Sequence, residues 1–413
     1  MSNFINASYW EKVATSVVGS TSTGEDGMSM SPTHVFYVND NDFVRYNRSA
    51  LYTSAGSWDK VSLSSLGLVH NLNNFNSSGY DGRYVYFAPR YCNHYVRHDT
   101  LGTFTNVNSW EKLLVTDVTP TSAFYGSHFG LTVLGNYIYY CPYGATNFVR
   151  YDKTLPFVAG SFQLKLKTDI QEVGEYRPPY YGVCNDGRYI YYAPYQGGGL
   201  LVRYDSQGDF TNTNSWETSS RPLAFDGGVF HPVFDGRYVY YSTDGNAFAR
   251  YDTTLPFNVS SWQNIAKSTV GLTGTITFSC SRGGYVYGCN GDGRSFCYDT
   301  NQPFTSASSW ELAGSAITGD TGSHSTGFGN ADDNYVYFKS GTSYFIRFNG
   351  GPLDPPPICW NYTAKYKNSS KLYKASGCGS FPKNIRVPGN VDIRTGKMID
   401  DGLLIDPRKY EVR

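Results

Sequence analysis

A three-part pattern recurs along this chain and constrains its fold more than any other feature. It opens with a Tyr-rich segment, Asp81-Gly82-Arg83-Tyr84-Val85-Tyr86, which returns at Tyr137-Ile138-Tyr139, Asp186-Gly187-Arg188-Tyr189-Ile190-Tyr191 and Asp235-Gly236-Arg237-Tyr238-Val239-Tyr240. Weaker copies stand at His34-Val35-Phe36-Tyr37, Tyr285-Val286-Tyr287 and Tyr335-Val336-Tyr337. An Arg-Tyr-Asp segment follows, at Arg45-Tyr46-Asn47, Arg97-His98-Asp99, Arg150-Tyr151-Asp152, Arg203-Tyr204-Asp205, Arg250-Tyr251-Asp252, Cys297-Tyr298-Asp299 and Arg347-Phe348-Asn349. The third part is an aromatic residue, at Trp10, Trp58, Trp110, Phe162, Trp216, Trp262 and Trp310, with successive separations of 48, 52, 52, 54, 46 and 48 residues.

A fixed period of about 50 residues marks a repeat architecture, in which each unit buries its apolar face only against its neighbours. Each segment alternates apolar and polar residues, as half-buried strands do. Asp-Gly before the Tyr strand is a tight-turn signal between hairpin partners. With 37 Tyr and 25 Phe, 17% aromatic residues and only 16% charged ones, the composition suits strands and turns rather than long helices. Four strands per repeat make a propeller blade. The predicted order runs from an innermost strand such as Gly228-Val229-Phe230-His231, through the Tyr strand and the Arg-Tyr-Asp strand, to an outermost strand beginning at the Trp. The chain opens on an outer-strand aromatic and ends its last copy without one. Tyr9–Val13 is therefore predicted to supply the missing outer strand, leaving no free edge between the first and last blades. The expectation is an all-β, seven-bladed β-propeller of four-stranded blades over residues 1–350, a Pro-rich linker over 351–357 and a basic tail over 358–413.

Residues 9–350, with their order of His, strand, Asp-Gly-x-Tyr-x-Tyr, Tyr-Asp and Trp, resemble the kelch repeat. The match departs where kelch repeats carry Gly-Gly after the second strand; here Ala88-Pro89, Cys141-Pro142 and Ala193-Pro194 stand there. The resemblance implies the propeller, but not the ubiquitin-ligase scaffolding partners of that family, which rely on accessory domains. The repeats also resemble, in composition, Tyr- and Asn-rich segments of bacterial and viral surface or virion proteins.

Net charge is zero but unevenly spread: residues 358–413 hold 11 Lys+Arg against 5 Asp+Glu, and the remainder 23 against 29. A neutral whole argues against a nucleic-acid binder. No stretch approaches the length of a transmembrane helix, and Met1–Val13 has no basic segment followed by an apolar run. The expected setting is a virion or surface appendage whose protein is made in the cytoplasm without a signal, the alternative being a cytoplasmic protein. Of eight cysteines, six fall inside repeats at positions that elsewhere hold small or apolar residues, and read as buried free thiols. Cys359 and Cys378 bracket a polar loop and suit a disulfide in an oxidising setting.

In a repeat chain, residues present in most copies serve the scaffold, and residues that break the repeat mark a site. The Arg, the Asp-Gly turn, the Tyr pair and the Trp are read as structural: the Trp packs between blades, and the Arg and Asp satisfy backbone groups or each other. The irregular positions gather in two kinds of connection predicted to share one face. Those between blades hold Tyr125, Glu172, Glu175, Arg177 and Asp226. His70, His128, His231 and His324 stand just before or on inner strands. A ring of imidazoles would suit a metal or an anion, but blades are wide, which favours histidines that satisfy backbone groups around a channel. Tyr91, Tyr143 and Tyr195 follow the second strand in three successive blades. They suit sugar stacking or protein contact, or else packing on the neighbouring blade. No GxSxG, HExxH or phosphate-loop motif is present, and no cofactor or metal is expected.

The tail differs in kind. Pro355-Pro356-Pro357 favours a stiff extended spacer, and about 60 residues scarcely bury a core alone. Trp360, Tyr362, Leu403, Leu404 and Ile405 are the expected docking residues, facing protein subunits of a larger assembly. The functional expectation is a non-enzymatic binding propeller anchored by its tail, with surface glycan as one ligand class. The alternatives are a polysaccharide glycosidase or lyase using Glu172, Glu175, Asp226 and His231, and an intracellular protein scaffold.

Overall fold

The computed structural model describes residues 3–19, 27–38, 41–68, 74–119, 127–170, 180–195, 199–222, 227–290, 293–318, 329–339 and 344–350. Beyond these it describes four short strands between 360 and 398. Seven four-stranded antiparallel sheets form the ring of a β-propeller. Blade 2 shows the plan. Its inner strand is Phe75–Tyr80, followed outward by Tyr84–Pro89, His94–Asp99 and Trp110–Leu114. Blades 3 to 6 begin at His128, Tyr180, Val229 and Ile276 and follow the same order; blade 1 begins at Met28.

Blade 7 is built from both ends of the ring. Asn330–Ala331, Tyr335–Lys339 and Tyr344–Asn349 are completed by Trp10–Ala14, which runs from Trp10 opposite Phe348 to Ala14 opposite Tyr344. The N-terminal strand thus closes the ring, one residue later than its sequence pattern suggests.

The outer strand starts at Trp because of a local device. A short 3-10 turn precedes each aromatic, and in four blades an Asn side chain (Asn6, Asn106, Asn212, Asn258) caps it by accepting from the amide two residues on. The indole N–H then reaches back six residues: Trp110 donates to the Phe104 carbonyl at 2.8 Å and Trp216 to that of Phe210 at 2.9 Å. The ring itself packs on the previous blade, as Trp110 stacks on Phe43 at 4.8 Å and Trp310 on Phe248 at 5.3 Å.

The repeated arginine joins blade to blade, which differs from the expected bond to the backbone or to the repeated Asp. Arg97 donates to the Tyr151 hydroxyl of blade 3 (3.0 Å), Arg150 to Tyr204 of blade 4 (2.9 Å), Arg203 to Tyr251 of blade 5 (2.9 Å), and Arg250 to Tyr298 of blade 6 (3.0 Å). Arg347 of blade 7 does the same to Tyr46 of blade 1 at 3.1 Å. A second edge of each guanidinium meets an acid or amide on its own outer strand, such as Glu111 for Arg97 and Gln263 for Arg250. One face lies over the blade's own Tyr, 4.1 Å from the Tyr84 ring for Arg97 and 3.9 Å from Tyr238 for Arg250. Where blade 6 substitutes Cys297 for the arginine, the receiving residue of blade 7 is Phe348, which has no hydroxyl. Donor and acceptor are lost together, but Glu311, the outer-strand acid opposite Cys297, is left with its Oε2 buried and without a hydrogen bond among the described residues. The repeated Asp has another partner, the Arg of Asp-Gly-Arg: Arg83–Asp99 at 2.7 Å, Arg188–Asp205 at 2.6 Å and Arg237–Asp252 at 2.7 Å.

The chain divides into two compact units, Met1–Gly351 and Pro352–Arg413. The second contains two short hairpins, Trp360–Lys365 with Leu372–Gly377 and Val391–Asp392 with Lys397–Met398. Trp360 and Tyr362 lie on the first of these strands; Leu403, Leu404, Ile405, Cys359 and Cys378 lie outside the described residues.

Candidate functional site

At one end of the propeller axis, the inner strands begin beside the turns that join second to third strands. This is where the repeat breaks. The inner strands of blades 3, 4 and 5 each carry a bulge near their start: Phe129-Gly130, Tyr181-Gly182 and, directly after Phe230, His231-Pro232. A bulge re-aims the side chains at its position, and here it brings three aromatic rings together. Phe129 stacks on Tyr181, and Phe230 meets Tyr181 edge-on at 5.2 Å. All three are buried.

Above this layer stand the turn tyrosines. Tyr143 packs on Phe129 at 5.7 Å and on Tyr181 at 5.9 Å, and Tyr195 stacks on Tyr181 at 4.8 Å and touches Phe230 of the next blade at 5.4 Å. The two lie 6.3 Å apart and are half-buried, so each packs across a blade boundary and also keeps a face open. Packing on the neighbouring blade, one of the two expected readings, is thus present. Tyr91 is more open, with 37% of its surface exposed.

Arg90, which sequence reasoning passed over, organises the edge of this platform. Its buried guanidinium lies 4.9 Å over Tyr91, 4.8 Å over Phe129 and 5.7 Å over Tyr143. Ser127 fixes the two turns together, donating through its amide to the Arg90 carbonyl and through its hydroxyl to that of Pro89, and accepting from the Tyr143 amide. Arg221 holds the Tyr195 side of the mouth by donating to the carbonyls of Gly199 and Gly227, both at 2.8 Å. Burial raises the Tyr143 phenol above its ordinary range, with Arg90 opposing, so the ring presents a neutral hydroxyl.

The two described histidines, His128 and His231, do not form a ring. His128 is fully buried, with Nε2 3.3 Å from the Tyr95 hydroxyl and Tyr140 edge-on to its ring. It is a core residue between blades 2 and 3. His231 does reach the axis, 5.6 Å from Phe129 and 5.4 Å from Tyr181. Burial, aided by Arg90, lowers its pKa to about 3, so it is a neutral ring. Its backbone is unusual, with φ +28° where the preceding blades place Gly130 (φ +117°) and Gly182 (φ +120°). Among the described residues no group of three acidic, histidine or cysteine side chains is placed to hold a metal ion. His70, Tyr125, Glu172, Glu175, Arg177, Asp226 and His324 lie outside the described residues.

Phe129, Tyr181 and Phe230 were also missed from sequence. The available signal was an aromatic before a glycine, or before His231, at the head of three successive inner strands.

The fold and this mouth define a seven-bladed β-propeller with an aromatic platform over part of one face. No protein-family model matches the chain, and no curated protein matches it. Among solved structures it is similar to YCF48 from Cyanidioschyzon merolae, with a TM-score of 0.53 and 11% identity, covering 83% of this chain and 99% of that one. It is also similar to PorZ, a surface component of the type-IX secretion system of Porphyromonas gingivalis (TM-score 0.50, 10% identity, 93% of this chain and 41% of that one). A third likeness is to the extracellular domain of BT4673 from B. thetaiotaomicron (TM-score 0.50, 11% identity, 83% and 40%). At these identities the likenesses show the fold alone. No helix among the described residues is long and apolar enough to cross a membrane.

Proposed function

We propose that this is a non-enzymatic binding propeller that presents the platform of Tyr91, Tyr143, Tyr195 and Arg90 to a surface glycan, and that its C-terminal unit docks on protein subunits of a larger assembly such as a virion or surface appendage. One observation carries the binding half: the platform occupies three successive blades and breaks the repeat, as a site on a repetitive scaffold should. Half-exposed tyrosine rings suit stacking on the C–H face of a sugar, with their hydroxyls hydrogen bonding to its oxygens. The docking half rests on the basic, Pro-led tail beyond the propeller and on the Tyr- and Asn-rich composition of the repeats.

The test is to pass the full chain over a panel of immobilised cell-surface polysaccharides, scoring retention and released fragments together. Retention without fragments supports this reading. Released fragments that disappear in Glu175→Gln replace it with a hydrolase. Loss of co-assembly on removing 358–413 supports the docking half, and unchanged co-assembly ends it.

A further inference from the structure

Below the aromatic mouth, the inner strands of the seven blades enclose an axial cavity of about 370 Å³. That volume is within the ordinary range for small-molecule sites. Its walls are unusual for a space of this size at the centre of a protein: they are polar without being charged. Ser77 and Ser78 of blade 2, Thr132 of blade 3, Asn185 of blade 4, Ser281 of blade 6 and Asn330 of blade 7 all line it, with aliphatic and aromatic side chains between them. Among the described residues no carboxylate, ammonium or guanidinium lines it, and His231 at its upper end is neutral.

Some of this polar lining is committed to the fold. Asn185 donates to the Thr132 hydroxyl at 2.7 Å, and Ser281 to the Phe234 carbonyl at 2.7 Å. Ser77 is not: it lines the cavity, and its hydroxyl makes no hydrogen bond among the described residues. A hydroxyl that faces the cavity without a protein partner can bond a guest's oxygen. The inner strands of blades 2 to 6 also shift register around the cavity, and each bulge withdraws a residue from the sheet ladder beside this space.

From this uncharged, hydroxyl-rich lining we propose that the axial cavity is a second binding site, taking a neutral polyhydroxylated molecule of monosaccharide to disaccharide size. Alternating hydroxyl and apolar walls match the alternating O–H groups and C–H faces of a sugar ring. A charged guest would enter a low-dielectric space with no counter-charge and pay its desolvation unrepaid. This site is independent of the platform above, which takes a polymer from outside through Tyr143 and Tyr195.

The experiment is titration calorimetry of the full chain with glucose, galactose, their uronic acids and the corresponding neutral disaccharides. The expected result is saturable binding of at least one neutral sugar, with its uronic acid at least tenfold weaker, a comparison made on the unaltered protein. Ser77→Ala is expected to weaken that binding about tenfold, while Tyr143→Ala combined with Tyr195→Ala leaves it unchanged and lowers polysaccharide retention. Failure of every sugar to bind overturns the proposal, as does equal affinity for the uronic acid. Loss of binding in the tyrosine pair with none in Ser77→Ala places the sugar on the platform and likewise overturns it. Small-sugar binding without polysaccharide retention leaves the cavity standing and removes the platform.

Discussion

A β-carbon added to Gly182 would lie 2.8 Å from both the Cα and the amide nitrogen of His231 on the next blade. Backbone, not a flexible side-chain end, occupies that space, and Gly182 also has φ +120°, which L side chains rarely adopt. Gly182→Ala is therefore expected to cost roughly 3 kcal/mol, combining backbone strain with displacement of an inner strand. Urea unfolding checks it; a loss below about 1 kcal/mol would mean that the inner strands slide freely past each other.

The inter-blade arginine bond makes a second prediction. Tyr298→Phe removes the acceptor for Arg250 but keeps the ring, and Arg250→Gln removes the donor. A hydrogen bond to a charged group is worth about 1.5–3 kcal/mol. A double-mutant cycle on this pair is expected to show coupling of about 1–2 kcal/mol in unfolding free energy. The pair of Cys297 and Phe348 predicts the converse: Cys297→Arg, which would meet the buried Oε2 of Glu311, should stabilise most when Phe348→Tyr accompanies it, measured by thermal unfolding.

At the platform, Tyr143→Ala and Tyr195→Ala are each expected to lower polysaccharide retention about tenfold, a loss of ~1.4 kcal/mol. Because both rings keep an open face, the melting temperature should fall by only a few degrees. An equal fall in retention and in folded fraction would mark them as packing residues and no more.

Acid stability follows from the buried histidines. Burial lowers His98 to about 4 and His128 and His231 to about 3, against 6.5 in the unfolded chain. The unfolded state thus binds protons first, and stability is complete above pH 6.5 and declines as pH falls from there towards 3. Each fully buried histidine contributes at most about 1.4 kcal/mol per pH unit in that window. His128→Leu should flatten the limb between pH 4.5 and 6.5 by one proton's worth, read from urea midpoints; an unchanged limb would show that His128 opens to water before the protein unfolds.

The repeat cysteines should be inert in the native state. Cys92 is raised to about 11 by burial, and Cys141, Cys184, Cys280 and Cys297 are raised by the same cause. A thiol reagent at pH 8 is expected to modify these five only at the rate of unfolding, counted by mass spectrometry of labelled peptides. Fast labelling of Cys184 or Cys280 would show that reagent enters the axial cavity.

What was legible beforehand was whatever each repeat needs for itself. The Asp-Gly turn, the Tyr strand, the Arg-Tyr-Asp strand and the Trp recur because every blade solves the same local problem of turn geometry and burial. Counting them yields seven blades, and the offset between Trp10 and Phe348 yields the closure. The partners were not legible. Arg97 finds Tyr151, 54 residues on, because ring packing sets one blade's third strand against the next, whereas the motif alone pointed to its own Asp.

The site divides along the same line. Tyr143 and Tyr195 stood out in sequence because they break the pattern, and so did His231, though for a ring that the described histidines do not form. Arg90, Phe129 and Tyr181 did not, since nothing local distinguishes an inner-strand aromatic that meets its counterparts from one that packs alone. The sequence by itself determined the blade, the number of blades and their closure, because those follow from turn chemistry and alternation within about 50 residues. Only the tertiary structure decided which side chains converge at the axis, because bulges in separate inner strands re-aim residues that the chain keeps some 50 positions apart.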